Sequence, residues 1–371
     1  MGTALSDGNT LSETSTLCGT AAPAQPSIQQ PNQAVQALMD RFSFPRGLAG
    51  ELVRSMGAFP IRFWVLDNSG SMQSGDGSRL IPRPSGTFQL VSATRWQELC
   101  DTAIAIGEIS HCLGARTDFH LLNPTAGVAC VTLGGVGSLP IEPGVTCDPL
   151  AMRTMMSSLS PTGSTPLTEA VMRIVSLISP LEPELRRHGQ QAVVVLATDG
   201  RPNDPNSFAQ ALQALHRMPV WLIVRLCTDE DQVVKYWSDL DTDLEVEMEV
   251  LDDEAGEAKE LAAHGNGWLT YGRPLHLARE FGVRNKLFDM LDEHKLSSSQ
   301  ISQLAEVLLG CGTLPDPKVD WAAFRDSIQE AMLSTAAAFD PTTKSVKPWV
   351  QLHTLSWRYA STCEGTPCML A

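Results

Sequence analysis

The sequence predicts an α/β fold: a doubly wound, mostly parallel central sheet with helices on both faces, an antiparallel edge hairpin, and a small helical region toward the carboxyl end. Three observations lead there. Short, largely apolar runs at Ile61 to Leu66, Val193 to Ala197 and Val220 to Leu226, the second of them continuous, have the composition of strands covered on both faces. Longer stretches between them place apolar residues at three- and four-residue steps, as one buried face of a helix requires. Strands and helices alternate at a spacing that builds a parallel sheet, in which ligands sit at the carboxyl ends of strands where the winding reverses.

The 371 residues suffice for one large α/β domain with a smaller appendage. Lys and Arg number 27 against 42 Asp and Glu, a net charge of −15. That balance excludes a nucleic-acid surface or an anionic-membrane surface, since both demand clustered cations. The nine cysteines have no C-x-x-C spacing, and several lie in apolar runs, so they read as mostly free thiols in a reducing compartment. No apolar run approaches the roughly 18 residues that span a bilayer, and no charged n-region with an apolar h-region opens the chain. A cytoplasmic protein is expected.

In chain order, residues 1–35 are rich in Ser, Thr, Gln, Pro and Ala and read as a disordered tail. Residues 36–57 form a helical lead-in with patterns over Val35 to Phe42 and Leu48 to Met56. Ile61 to Leu66 is the first strand. Gln73 to Ser92 follows as a long connection with little periodicity, carrying Arg79 and Arg83; it is either a specificity or gating loop or a tolerated insertion. Thr94-Arg95-Trp96-Gln97 reads as a capping box, and Trp96, Leu99, Ala103 and Ile106 line the buried face of its helix. Phe119 to Leu122 and Val128 to Leu133 predict the edge hairpin across Asn123 to Ala126.

Leu150 to Leu159 and Thr168 to Leu181 predict helices, the second with Pro166 near its first turn. Val193 to Ala197, Phe208 to Leu215 and Val220 to Leu226 continue as strand, helix and strand. Asp239 to Asp243 lacks the Gly and Glu of a calcium-binding EF-hand loop and reads as a solvated acidic turn. Leu244 to Val250 alternates strictly, as an edge strand with an outward acidic face. Residues 283–355 are helical over Leu287 to Leu291, Ile301 to Leu309 and Trp321 to Ala338, either packed on the sheet or hinged from it, and residues 356–371 form a flexible tail.

The chemistry gathers at three strand- or helix-flanking loops. Ile61 to Leu66 ends in Asp67-Asn68-Ser69-Gly70-Ser71, Gly163-Ser164-Thr165-Pro166 precedes a helix, and Ala192 to Ala197 ends in Thr198-Asp199-Gly200. One carboxylate with two hydroxyls is a hard-oxygen set that suits Mg²⁺, which prefers six oxygens and keeps several waters. With D-x-S-x-S, the threonine and the T-D-G aspartate in order, residues 58–282 resemble a von Willebrand factor type A (VWA) domain of the intracellular branch, a Rossmann-like fold. That resemblance implies an intact metal-ion-dependent adhesion site (MIDAS) in which Ser69, Ser71 and Thr165 bind the metal directly. Asp67 and Asp199 would act mostly through bound water. It also implies Mg²⁺ as the cofactor, with Mn²⁺ and Ca²⁺ as alternatives, and a protein partner whose Asp or Glu carboxylate completes the octahedron.

No catalytic constellation accompanies these loops: the sequence holds no G-x-S-x-G elbow, no H-E-x-x-H helix and no phosphate loop, so the chain is expected not to be an enzyme. Relatives of this kind also serve as assembly subunits of ATP-driven machines, an alternative function; a metal-dependent hydrolase ranks below both. At the ends, Gly2 fits a myristoylation pattern and Cys368 a prenylation box. No polybasic stretch supports either, and membrane association is expected only if the chain is lipidated.

Overall fold

The computed structural model describes residues 29–82, 88–125, 127–135, 148–244 and 247–359. Its strands, in chain order, are β1 (Ile61–Leu66), β2 (Gly77–Pro82), β3 (Phe88–Ala93), β4 (Arg116–Thr125), β5 (Val128–Leu133), β6 (Ala192–Thr198), β7 (Val220–Leu226), β8 (Met248–Leu251), β9 (Ala338–Asp340) and β10 (Ser345–Lys347). Six of them make one sheet in the order β5-β4-β1-β6-β7-β8. All run parallel except β5, which pairs antiparallel with β4 at one edge. The chain leaves β1 toward β4 and β5, then crosses back to β6 on the other side of β1. The winding therefore reverses between β1 and β6, and the loops after these two strands diverge around a crevice.

Successive side chains along each strand enter different cores, as a period of two demands. Phe63, Val65, Val194 and Leu196 face one core, closed by Ile174, Phe208 and Trp237. Those three come from the helices Leu167–Ile178, Pro205–His216 and Asp231–Leu244. Trp64, Leu66, Val195 and Ile223 face the other, which also takes Leu52 from the lead-in, Leu99 from the Arg95–Leu113 helix, and Phe288, Leu304 and Trp321 from the carboxyl-terminal region. Each such buried side chain contributes about 1.5–3 kcal/mol, so the carboxyl-terminal region is packed on the sheet, not hinged from it.

Several elements differ from expectation. The first helix runs Gln29–Phe42, so residues 29–35 belong to it and not to a tail; Pro31 lies in its first turn, where a missing N–H is not needed. Residues 73–92 are no aperiodic connection. β2 and β3 pair from Gly77↔Ala93 to Pro82↔Phe88, and a side chain at Gly77 would start 2.8 Å from the Thr94 carbonyl oxygen. The Ser78 N–H donates to Glu98 Oε2 at 2.8 Å, and Arg79 forks onto Asp101 at 2.6 and 2.7 Å. The described part of this segment is thus a paired hairpin anchored to the Arg95–Leu113 helix. Pro82, Pro84 and Gly86 interrupt the period-two pattern in the sequence; residues 83–87, Arg83 among them, lie outside the described residues.

β4 continues through Pro124 to Thr125, with the register against β5 slipping between His120 and Thr125, which accommodates the missing donor. Asp239 to Asp243 lies within the Asp231–Leu244 helix instead of a turn, with Lys235 Nζ 2.8 Å and 2.9 Å from the Asp239 oxygens one turn away. β8 begins only at Met248, and Glu249 is buried, accepting from Arg279 Nε at 2.8 Å. The outward acidic face expected there is thus inward at Glu249, because a guanidinium from the Arg273–Glu280 helix waits in the core. In the carboxyl-terminal region the last long helix stops at Leu333, and β9 and β10 form a second hairpin. Its turn is set by Asp340 Oδ1, which accepts from the N–H groups of Thr342 and Thr343.

Cys100, Cys112, Cys130, Cys227 and Cys311 are free thiols. Among the described residues no helix is long and apolar enough to cross a membrane. Gly2 and Cys368, with the tail beyond residue 359, lie outside the described residues.

Candidate metal centre

The crevice where the winding reverses is built first by the end of β1. Its ladder runs one residue further, the Asp67 N–H donating to the Ala197 carbonyl at 2.9 Å, which fixes Asp67 in the sheet with no exposed surface. Oδ1 of Asp67 accepts from the Ser69 N–H at 2.8 Å, and Oδ2 accepts from the Thr198 hydroxyl at 2.6 Å. The chain then turns through a short 3₁₀ segment, Gly70–Gln73. Ser69 Oγ and Ser71 Oγ lie 3.0 Å apart, and Ser71 donates to Asp199 Oδ1 at 2.8 Å. A hydroxyl has one proton, so Ser71 spends it on Asp199, and the Ser69 proton points at Ser71.

The third loop is tied in through backbone. Gly70 N–H donates to Gly163 O at 3.1 Å and Thr162 N–H to Asn68 O at 2.7 Å. Asn68 reaches the other way, its side chain pairing with both backbone groups of Asn123 at 2.7 Å. Gly163 has φ +94°, and a β-carbon there would stand 2.7 Å from Asn123 Oδ1, so only glycine lets these loops close. Thr165 is half-buried beside the T-D-G loop, its Oγ1 3.7 Å from where a side chain on Gly200 would begin. All five predicted positions thus meet at one crevice. Asp67, Ser69, Ser71 and Asp199 form a hydrogen-bonded chain, while Thr165 stands at the side, joined to neither serine.

Charge at the crevice is sparse and managed. Burial raises the Asp67 carboxyl above its ordinary range, with Asp199 adding to the push and hydrogen bonds from Thr198 and Ser69 opposing it. Asp199 has a counter-ion that sequence reasoning missed: Arg95 Nη1 lies 3.0 Å from Asp199 Oδ2, and Arg95 is itself 5% exposed. Arg95 also forks onto Asp76 at 2.8 and 2.6 Å and reaches Glu230 at 2.9 Å. A signal for it existed. Arg95 is the first helical residue after the Thr94 cap, where the helix dipole disfavours a cation, so an arginine there needs anionic company. Thr198, which orients Asp67, was likewise passed over.

The donor set fits a small hard cation. Cis ligands of an octahedron with bonds of about 2.0–2.1 Å lie about 2.9 Å apart, and the two serine oxygens stand at 3.0 Å. Two denser acidic clusters lie elsewhere: Asp229, Asp252 and Asp253, and Glu257, Glu260 and Asp292. In the first, Asp253 caps a helix through the Gly256 N–H, and burial with Asp253 alongside pushes Asp252 up to about 6. Cys227, just past β7, is no activated thiol: burial pushes it up to about 12.

No protein-family model matches the chain, and no curated protein matches it. Among solved structures, proximal thread matrix protein 1 from the mussel byssus is similar over 45% of this chain at 14% identity, with a TM-score of 0.26. The chain spans 38% of that protein's length. A likeness so faint carries no functional weight, and the crevice is argued from its own geometry.

Proposed function

We propose that this chain is a divalent-cation-dependent protein-binding module with a Rossmann-like VWA fold and a MIDAS at the crevice between β1 and β6. Ser69, Ser71 and Thr165 would hold Mg²⁺ directly, and Asp67 and Asp199 would act from the outer shell. The observation that carries this reading is the pair of serine hydroxyls at octahedral spacing, the Ser71 hydroxyl oriented by the buried Asp199 and Ser69 held through its backbone N–H by the buried Asp67. Neutral hydroxyl ligands leave a cation electrophilic, so a carboxylate from an Asp or Glu of a partner protein gains by completing the shell. Hydrolysis would need a free general base beside the cation, whereas the oxygens of Asp67 and Asp199 already accept from Ser69, Thr198, Ser71 and Arg95, which supports the binding reading.

Water-proton relaxation with Mn²⁺ as the probe tests this. Bound Mn²⁺ in the wild type should enhance relaxation, and a peptide bearing one exposed Glu should lower that enhancement by displacing a coordinated water. The Ser69→Ala protein should show neither effect. Absence of Mn²⁺ binding, or an enhancement indifferent to the peptide's carboxylate, would overturn the proposal.

A further inference from the structure

Both oxygens of Asp199 are engaged: Oδ1 takes the Ser71 proton at 2.8 Å and Oδ2 takes Arg95 Nη1 at 3.0 Å. Each keeps a second lone pair, so what the guanidinium opposes is the turn of the carboxylate that would present both oxygens to one cation. The Arg95 guanidinium is buried and tied at three further points, twice to Asp76 and once to Glu230, while the backbone N–H of Arg95 donates to Ser74 O at 3.0 Å. It is therefore a fixed post, not a side chain that swings aside with a rotamer change. Its charge is also held firmly, Asp76 first and then Glu230 and Asp199 stabilising the guanidinium against burial.

Divalent cations differ in what they would ask of Asp199. Ca²⁺ takes six to eight oxygens at about 2.3–2.6 Å and recruits carboxylates, often bidentate, whereas Mg²⁺ is content with six and retains waters. With Oδ2 of the buried Asp199 held by an arginine, the site resists supplying a bidentate carboxylate. We infer that Arg95 is a positioning residue that holds Asp199 outside the inner coordination shell and so makes the site select a small six-coordinate cation over Ca²⁺. This rests on the metal reading above and adds to it the residue that sets metal choice.

The test is calorimetric titration of the full chain with Mg²⁺ and, separately, Ca²⁺, in the wild type, Arg95→Gln and Arg95→Lys. The wild type should prefer Mg²⁺. Arg95→Gln keeps the buried stem and a polar head but removes the clamp and the charge; its Ca²⁺ affinity should rise at least tenfold, and more than its Mg²⁺ affinity. Arg95→Lys restores a cation against Asp199 and should bring the ratio back toward that of the wild type. A ratio unchanged in Arg95→Gln, or both affinities falling together as a merely structural role would have it, overturns the inference while leaving the metal site standing. A wild type that binds Ca²⁺ as tightly as Mg²⁺ overturns it without any variant, whether or not Arg95→Gln folds. A wild type that binds neither takes down the metal reading itself, and the inference with it.

Discussion

Two charged regions of this molecule make opposite use of carboxylates. Around Arg279, three of them close on one guanidinium: Glu249 at 2.8 Å from Nε, Asp292 at 2.8 Å from Nη2, and Glu257 in short contact with Nη1. The arginine is buried, and its Nε, Nη1 and Nη2 are each taken by a carboxylate. At the crevice, Arg95 also gathers three carboxylates, Asp76, Asp199 and Glu230, but the two aspartates beside the serines are otherwise spread over hydroxyls and backbone. On the proposed reading, acidic density is not what marks a cation site. The richer cluster is a closed internal ion network, and the poorer one keeps neutral oxygens at ligand spacing.

The comparison can be broken at its closed end first. Arg279→Met should strand Glu249 and Glu257 without a counter-ion and lower stability by about 3–5 kcal/mol, read by urea unfolding. A loss under about 1 kcal/mol would mean that the network is not what holds that side of the sheet.

At the open end the expected effect is conditional on metal. Mg²⁺ at about a hundred times its Kd should stabilise the wild type by about 2.7 kcal/mol. Asp67→Ala and Thr165→Ala should erase that increment while keeping the native circular dichroism, and equal stabilisation in both variants would remove them from the site.

The smallest effect sharpens the contrast through pH. Burial, with Asp292 beside it, pushes Glu257 up to about 7 against the pull of Arg279, so the closed cluster meets its surplus charge with a proton where the crevice would meet it with a metal. The folded state then holds a proton that the unfolded chain, titrating near 4.5, has released. The stabilisation is complete below the unfolded value and is lost as pH rises through about 7. Between pH 6 and 8 the wild type should lose about 1 kcal/mol more than Glu257→Gln, measured by denaturant unfolding at each pH.

How much of this was legible in the sequence follows the range of the interactions. β1 and β7 begin and end where their largely apolar runs do, although each carries one buried arginine, Arg62 held by the Phe281 carbonyl and Arg225 by Glu98. The positions of Asp67 and Asp199 follow from the ends of β1 and β6 and from a winding that reverses between them. The partners of Arg95 and Glu249 were not legible, for a shared reason. Each is a charged residue whose partners come from distant segments, Asp199 and Glu230 for one and Arg279 for the other, and a local pattern assigns such residues to solvent. The β2–β3 hairpin was hidden by the prolines and glycine that interrupt its pattern in the sequence, although Gly77 at its base is the residue that lets it pass the helix cap.

The most direct trial of the central claim is anomalous diffraction from crystals grown with Mn²⁺. The account predicts a peak at the crevice, about 2.1–2.2 Å from Ser69 Oγ and Ser71 Oγ. A peak confined to the Asp229, Asp252 and Asp253 cluster, or none at the serines, would contradict it.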